Sequence, residues 1–378
     1  MNWIARHIEN QFENLQKTGK VLTVLGARRV GKTSVIQKIL EKQSGKIFYG
    51  TGDDQDLHDL FSSKRLNIIS SVLGGYDWIF IDEAQRIPSI GLGLKMFIDA
   101  NPKANIIASG SSSFELSGQL GEPLTGRQIP YTLFPVSMIE IRDNYKQFHI
   151  YQNLHNYLIF GTYPETLTAK NSFEKQTYLL NLRNSYMFKD ILELENIRNA
   201  SKLNDLLKLI AFQIGNEVSL NELSNNLGIA KQTVERYLDL LEKAFIIVKV
   251  RGYSSNLRKE VSKTSRYYFR DNGIRNAIIN NFNPADSRMD MGMLWENFCV
   301  IERMKKQAYK GIFTNNYFWR TYDKQEIDLV EERNGKLFGY KFKWNPGKKV
   351  RTPKSFLNTY SNSHFEIINP DNFIEFLC

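Results

Sequence analysis

The chain has 378 residues, a length that argues for two or three domains. Hydrophobic residues make up 42% and charged residues 24%, with 10 prolines, which excludes disorder and a collagen-like fibre. The net charge is +10 and its excess lies in the C-terminal half: Lys305 to Lys354 carries 13 Lys/Arg against 5 Asp/Glu, and Lys249 to Arg270 carries 7 Lys/Arg against Glu260 alone. That excess could attract DNA through weak, sequence-tolerant phosphate contacts, or serve only to keep a surface solvated. Cys299 and Cys378 form neither a disulfide framework nor a metal-ligand cluster. The start lacks a signal-peptide pattern and no apolar run approaches 18 residues, so the expected setting is cytoplasmic, with no membrane association.

Val21 to Leu25 is a short apolar run suited to a buried parallel strand. It leads into Gly26-Ala27-Arg28-Arg29-Val30-Gly31-Lys32-Thr33, a G-x-x-x-x-G-K-T loop, and then a helix to about Glu41 with Val35, Ile36, Ile39 and Leu40 on its buried side. Glycines let successive backbone N–H groups converge on phosphate oxygens, and the helix N-terminus adds partial positive charge. The loop residues Gly26, Arg28, Arg29, Val30, Gly31, Lys32, Thr33 and Ser34 are therefore the expected phosphate cradle. Lys32 would reach the β- and γ-phosphates and the Thr33 hydroxyl would ligate magnesium.

Fifty residues beyond Lys32, Trp78-Ile79-Phe80-Ile81-Asp82-Glu83 is an apolar strand ending in two carboxylates. Asp82 is expected to hold the magnesium, and Glu83 to orient and polarise an attacking water. Asn105 to Ala108 forms a third strand running into Ser109-Gly110-Ser111-Ser112, where Ser111, or else Ser109, would sense the γ-phosphate. Arg127 follows Thr125-Gly126 just before another strand-like run. It is a candidate finger acting on the nucleotide of a neighbouring subunit, which implies a homo-oligomer; a structural ion pair is the alternative.

The series of P-loop, Ile-Asp-Glu-Ala-Gln-Arg, Ser-Gly-Ser-Ser, Thr-Gly-Arg and Phe-Pro-Val-Ser resembles the prokaryotic AAA-type ATPases. It is most similar to the branch with a winged helix and a C-terminal nuclease-like domain of unknown function. Phe160-Gly161-Thr162-Tyr163-Pro164-Glu165 and Tyr268-Phe269-Arg270-Asp271-Asn272-Gly273 extend the resemblance over nearly the whole chain. It implies an α/β fold: an AAA-type P-loop core over 1–150, a helical lid over 151–215, a winged helix over 216–285 and a restriction-endonuclease-like domain over 290–378. It also implies ATP as the nucleotide, with Mg²⁺, and an unidentified protein partner.

The later segments agree in outline. Residues 150–215 read as helices, the resemblance making them a lid beside the nucleotide, to which Arg183 would contribute unless it serves on the surface or in a salt bridge. Ser219-Leu220-Asn221-Glu222 reads as a capping box opening a short helix, and Gly228 makes the turn. A second helix then carries Val234, Tyr237, Leu238, Leu241 and Phe245 on one stripe, and Ile246 to Tyr253 supplies a strand and wing. In the last part, Asp328 fits the first acid of a nuclease-like site. Lys341 stands where glutamate is expected, with Lys343 two residues on. A cation there opposes a metal ion, and Glu326, on the same strand face as Asp328, is the one substitute ligand. The expected activity is slow hydrolysis of ATP to ADP and phosphate as a conformational switch. A DNA-binding regulator set by nucleotide and a pure interaction module are the rivals, and Lys341 argues against a nuclease.

Overall fold

The computed structural model describes residues 3–15, 19–111, 124–185, 200–254, 264–321, 325–347 and 351–378. The chain divides into two compact units: Ala5–Pro135 with Lys243–Phe245, and the remainder.

In the first unit, five strands among the described residues form a parallel sheet: β1 (Val21–Leu25), β2 (Ile47–Thr51), β3 (Trp78–Asp82), β4 (Asn105–Gly110) and β5 (Gln128–Thr132). Their spatial order is β2-β3-β4-β1-β5. The apolar runs read from the sequence are its central strands. Val21, Val24, Ile79, Ile81 and Ala108 are fully buried, as strands covered on both faces require. Leu57, Phe61, Ile69, Leu94 and Phe97, from flanking helices, close one side of this core. The helix after β1 spans Lys32–Leu40 and ends at Glu41, with Val35, Ile36, Ile39 and Leu40 buried as their spacing predicts.

Among the described residues, the second unit is built on seven strands. β6 (Glu217–Val218), β7 (Ile247–Gly252), β8 (Ser265–Phe269), β9 (Asn315–Arg320), β10 (Glu326–Arg333), β11 (Lys336–Phe342) and β12 (Ser363–Ile368) lie in the order β12-β11-β10-β9-β7-β8-β6. The β7–β8 hairpin, read from the sequence as strand and wing, is thus continuous with the later strands through parallel β7–β9 pairing. Residues 255–263, with Arg258, Lys259 and Lys263, lie outside the described residues. Asn334 and Gly335 both take positive φ, 51° and 70°, and make the tight β10–β11 turn that their types favour. The helix Lys231–Lys243 buries Val234, Tyr237, Leu238 and Leu241, but Phe245 lies beyond its end at φ 53° and not on its stripe. Arg183 donates to the Ala277 carbonyl at 2.9 Å.

The two later motifs of the resemblance meet in space. Asp271 caps the helix Asn272–Ile278 through the Ile274 N–H at 3.1 Å and accepts the Thr162 N–H at 2.8 Å. Asn276 and Asn272 donate to the carbonyls of Ile159 and Leu158 at 2.8 and 3.2 Å. A Cβ on Gly273 would stand 2.2 Å from the Phe160 carbonyl oxygen, and one on Gly161 (φ 68°) would stand 2.0 Å from Asp271 Oδ1. These residues form a packing joint whose buried polar groups are satisfied across it. Gly161→Ala is expected to lower the unfolding free energy by about 2 kcal/mol or more, by clash and by left-handed strain. Gly228→Ala, with φ 64° and open space around it, should cost only about 1 kcal/mol. Urea titration of the two variants checks the difference.

Candidate functional site

The phosphate loop leaves the C-terminal end of β1 and closes on the helix N-terminus. Two of its glycines are sterically required. A Cβ on Gly26 would lie 2.2 Å from the Leu133 carbonyl oxygen, and Gly31 takes φ 96°. Arg29 is exposed at φ 61°, Ser34 is exposed on the first helical turn, and Val30 is fully buried under the loop. Lys32 is 5% exposed, and its ammonium donates to the Gly26 and Ala27 carbonyls at 2.9 and 3.1 Å, so the charge is held directly over the loop.

Arg6 braces this loop from beneath. Its guanidinium is buried and donates to the carbonyls of Val30 and Phe134, each at 2.6 Å. A charged donor spanning two carbonyls contributes more than a neutral one, about 1.5–3 kcal/mol per bond. Nothing near Arg6 in the sequence marks this role, because its acceptors lie 24 and 128 residues away.

Across β4, the acid pair closes the site. Thr33 Oγ1 donates to Asp82 Oδ2 at 2.6 Å, joining the P-loop helix to the tip of β3. Ser109 Oγ donates to Asp82 Oδ1, as does the Glu83 N–H at 3.1 Å. Glu83 takes φ 46°, and the chain then turns through the short helix Ala84–Arg86. Gln85 Nε2 donates to Glu83 Oε2 at 2.5 Å and to Ser111 Oγ at 3.1 Å. Sequence reasoning passed over Gln85; its only signal was an amide two residues beyond the acid pair. Gly52 packs against the same tip, its N–H donating to the Asp82 carbonyl at 2.7 Å.

Thr33, Asp82, Glu83, Ser109 and Ser111 therefore converge with Lys32 at one edge of the sheet. Arg127 does not join them. It precedes Gln128, which pairs with Val21, so it stands where the strands begin, about 13 Å along the strand direction from the P-loop edge. There its Nε pairs with Asp99 Oδ1 at 2.5 Å on the surface. A hydroxyl and a carboxylate 2.6 Å apart are hard oxygen donors suited to Mg²⁺, which keeps several waters and takes few protein ligands.

A second polar cluster lies in the other unit, beside a cavity of about 440 Å³ lined in part by Glu296, Glu326, Asp328, Lys341 and Trp344. Asp328 is not alone as a carboxylate: Glu326 shares its strand face and Glu296 approaches from the helix Met291–Lys310. Lys341 Nζ lies 2.6 Å from Asp328 Oδ1 and 3.3 Å from Glu326 Oε2, so its ammonium sits between the two acids. Arg266, 2% exposed on β8, pairs with Glu326 and lies 3.6 Å from Glu296 and 3.9 Å from Asp328. The Phe342 N–H completes the shell of Asp328 at 2.8 Å. Burial, reinforced by Asp328, pushes the Glu296 carboxyl up to about 8. Burial also opposes ionisation of Glu326, but Arg266 and Lys341 outweigh it and hold that carboxyl at about 2.

The Glu296 shift carries a sign. Its folded-state value lies above the ordinary carboxyl range, so its share of stability is complete below about pH 4.5 and is lost as pH rises through about 8. Glu296→Gln keeps an acceptor for the Tyr268 hydroxyl, which donates to Oε1 at 2.8 Å, and removes the titration. The variant's melting temperature should fall less than that of the parent between about pH 5 and 8.5, as thermal scans across that window will show.

Comparison with known proteins places this geometry. Residues 18–142 match the family described as AAA domain, residues 151–285 a domain of unknown function (DUF8612), and residues 291–371 another (DUF4143). An uncharacterised protein of Mycobacterium tuberculosis is 25% identical over 355 residues, 93% of this chain and 76% of that protein. One from Methanocaldococcus jannaschii is 22% identical over 386 residues, 97% of this chain and 84% of its own length. One from Haemophilus influenzae is 25% identical over 301 residues, 72% and 73% of the two chains. The Holliday junction branch migration motor RuvB of Thermotoga maritima aligns over 61% of this chain and 81% of its own, at 18% identity and a TM-score of 0.27. The AAA match covers the stretch that holds the parallel sheet, the phosphate loop and the acid pair, so this part of the chain is similar to an AAA-type P-loop domain. No helix among the described residues is long and apolar enough to cross a membrane.

Proposed function

We propose that this protein binds Mg-ATP at the loop Gly26–Thr33 and hydrolyses it slowly, using the reaction as a conformational switch. The observation that carries the proposal is the Thr33–Asp82 hydrogen bond, which brings the hydroxyl after the P-loop lysine and the acid at the tip of β3 to one point. Backbone N–H groups of the loop and Lys32 bind the phosphates. Thr33 and Asp82 would hold a magnesium ion, which would neutralise phosphate charge and polarise the γ-phosphoryl group. Glu83 orients the attacking water and accepts its proton. The water oxygen bonds to the γ-phosphorus, the bond to the β–γ bridging oxygen breaks with its electron pair leaving on ADP, and inorganic phosphate departs.

Two substitutions separate binding from chemistry. Lys32→Ala should weaken ATP binding at least tenfold by calorimetry while the fold survives. Glu83→Gln should retain ATP affinity and lose turnover at least a hundredfold, because magnesium keeps Asp82 while the water loses its carboxylate. A Glu83→Gln chain hydrolysing at the parent rate would remove Glu83 from the mechanism.

Arg127 is proposed as a finger between subunits, since within one chain its edge of the sheet is remote from the loop. Turnover per chain should then rise with protein concentration, and mixing Arg127→Ala with Glu83→Gln chains should restore part of the lost activity. Concentration-independent turnover without recovery would leave Arg127 to its ion pair with Asp99.

We read residues 216–285 as a winged helix and 290–378 as a nuclease-like domain without nuclease chemistry, with 151–215 as a helical lid. The helices Leu220–Leu227 and Lys231–Lys243, turned at Gly228, support the first reading. Pairing of β7 with β9 supports a packing role for its hairpin rather than base readout, which leaves nucleic acid to weak phosphate contacts of the basic half. Lys341 between Asp328 and Glu326 supports the loss of metal-dependent cleavage.

A further inference from the structure

Gln85 has a place that the P-loop and acid-pair roles leave unexplained. It lies in the short helix Ala84–Arg86, and the left-handed turn at Glu83 starts the excursion that returns its side chain to the strand tips. Its carboxamide joins two residues from different strand ends, Glu83 just past β3 and Ser111 just past β4, at 2.5 and 3.1 Å. The orientation of that amide is set by chemistry: an ionised carboxylate only accepts, so the NH₂ group must face Glu83. Both amide hydrogens are then committed, one to the carboxylate and one to the hydroxyl.

The other end of the same amide is the telling part. Gln85 Oε1 is buried and has no hydrogen-bond partner among the described residues. A glutamine placed for stability alone would have both ends of its amide satisfied, because a buried acceptor left unpaired is a net cost to the fold. Here the unfavourable end is tolerated while the favourable end is spent on two side chains at the tips of the catalytic strands.

We infer that Gln85 is a positioning residue for ATP hydrolysis: it fixes the Glu83 carboxylate and couples its orientation to Ser111. The inference rests on the proposed ATPase reading and deepens it. Rotation of the Ser111 hydroxyl toward a phosphate oxygen alters the Gln85 contact, and through it the direction of the base. Gln85 touches neither phosphate nor water in this role and acts only through Glu83.

The test uses the full-length protein with Mg-ATP. Gln85→Ala, and Gln85→Met to preserve chain length and volume should the alanine variant melt early, are compared in steady-state turnover and in calorimetric binding of a non-hydrolysable ATP analogue. The expected result is a fall in kcat of at least tenfold with analogue affinity within twofold of the parent. Since Gln85 works through Glu83, Gln85→Ala on a Glu83→Gln background should slow single-turnover hydrolysis no further. Combined with Ser111→Ala, it should likewise be no slower than the slower single variant. A kcat that is unchanged or raised, or rate losses that multiply in the double variants, overturns the inference. Failure of the underlying reading looks different: turnover that survives both Lys32→Ala and Glu83→Gln removes the ATPase site itself. Lys32- and Glu83-dependent turnover with parent-like Gln85 variants removes only the role of Gln85.

Discussion

Two strands that are not neighbours must deliver their ends to one small polar space, and the strand between them makes that possible. β4 pairs with β1 on one side and β3 on the other, all parallel, so the loop after β1 and the acids after β3 emerge at the same edge. A hydrogen bond of 2.6 Å from Thr33 to Asp82 closes the gap over β4, and Ser109 on β4 itself reaches the same carboxylate. In a parallel sheet every strand presents its C-terminal end on one side, which is why a site gathered from three strand ends needs no long side chains.

The backbone constraints follow from that closeness. Gly26 must lack a Cβ because the carbonyl of Leu133, beyond β5, lies where it would be, and Gly31 must take φ 96° to begin the helix. Arg6 holds the carbonyls of Val30 and Phe134 together, so loop and strand end are fixed to the same guanidinium. Such a loop is organised before any phosphate arrives, which lowers the ordering cost of binding.

The second unit turns charge to a different use. Arg266 and Lys341 lie among Glu296, Glu326 and Asp328, so cations of the chain itself neutralise carboxylates that in a metal-dependent site would face an ion. Removing one member of such a buried set leaves an uncompensated charge, so the cluster is held together by what its loss would cost. The joint between Gly161–Thr162 and Asp271–Gly273 has the same character on a smaller scale: motifs that mark the resemblance act as mutual hydrogen-bond partners.

Local pattern carried much of this. Apolar runs announced β1, β3 and β4, and the glycine and lysine spacing announced the loop, because each depends on residues a few positions apart. What reaches across the chain was illegible. Arg6 finds an acceptor 128 residues away, Arg266 meets an acid 60 residues on, and Gln85 bonds a serine 26 residues later. The sequence likewise pointed to Asp328 and its opposing lysine, but not to Glu296, which comes from a helix rather than the strand. Nor did it show that the β7–β8 hairpin is tied to β9. Spacing along the chain specifies turns, strands and the phosphate loop, since these are set by dihedral preference and periodic burial. Which distant polar groups satisfy one another is decided only when the strands are ordered, because a hydrogen bond needs its partners about 3 Å apart and no local rule brings them there.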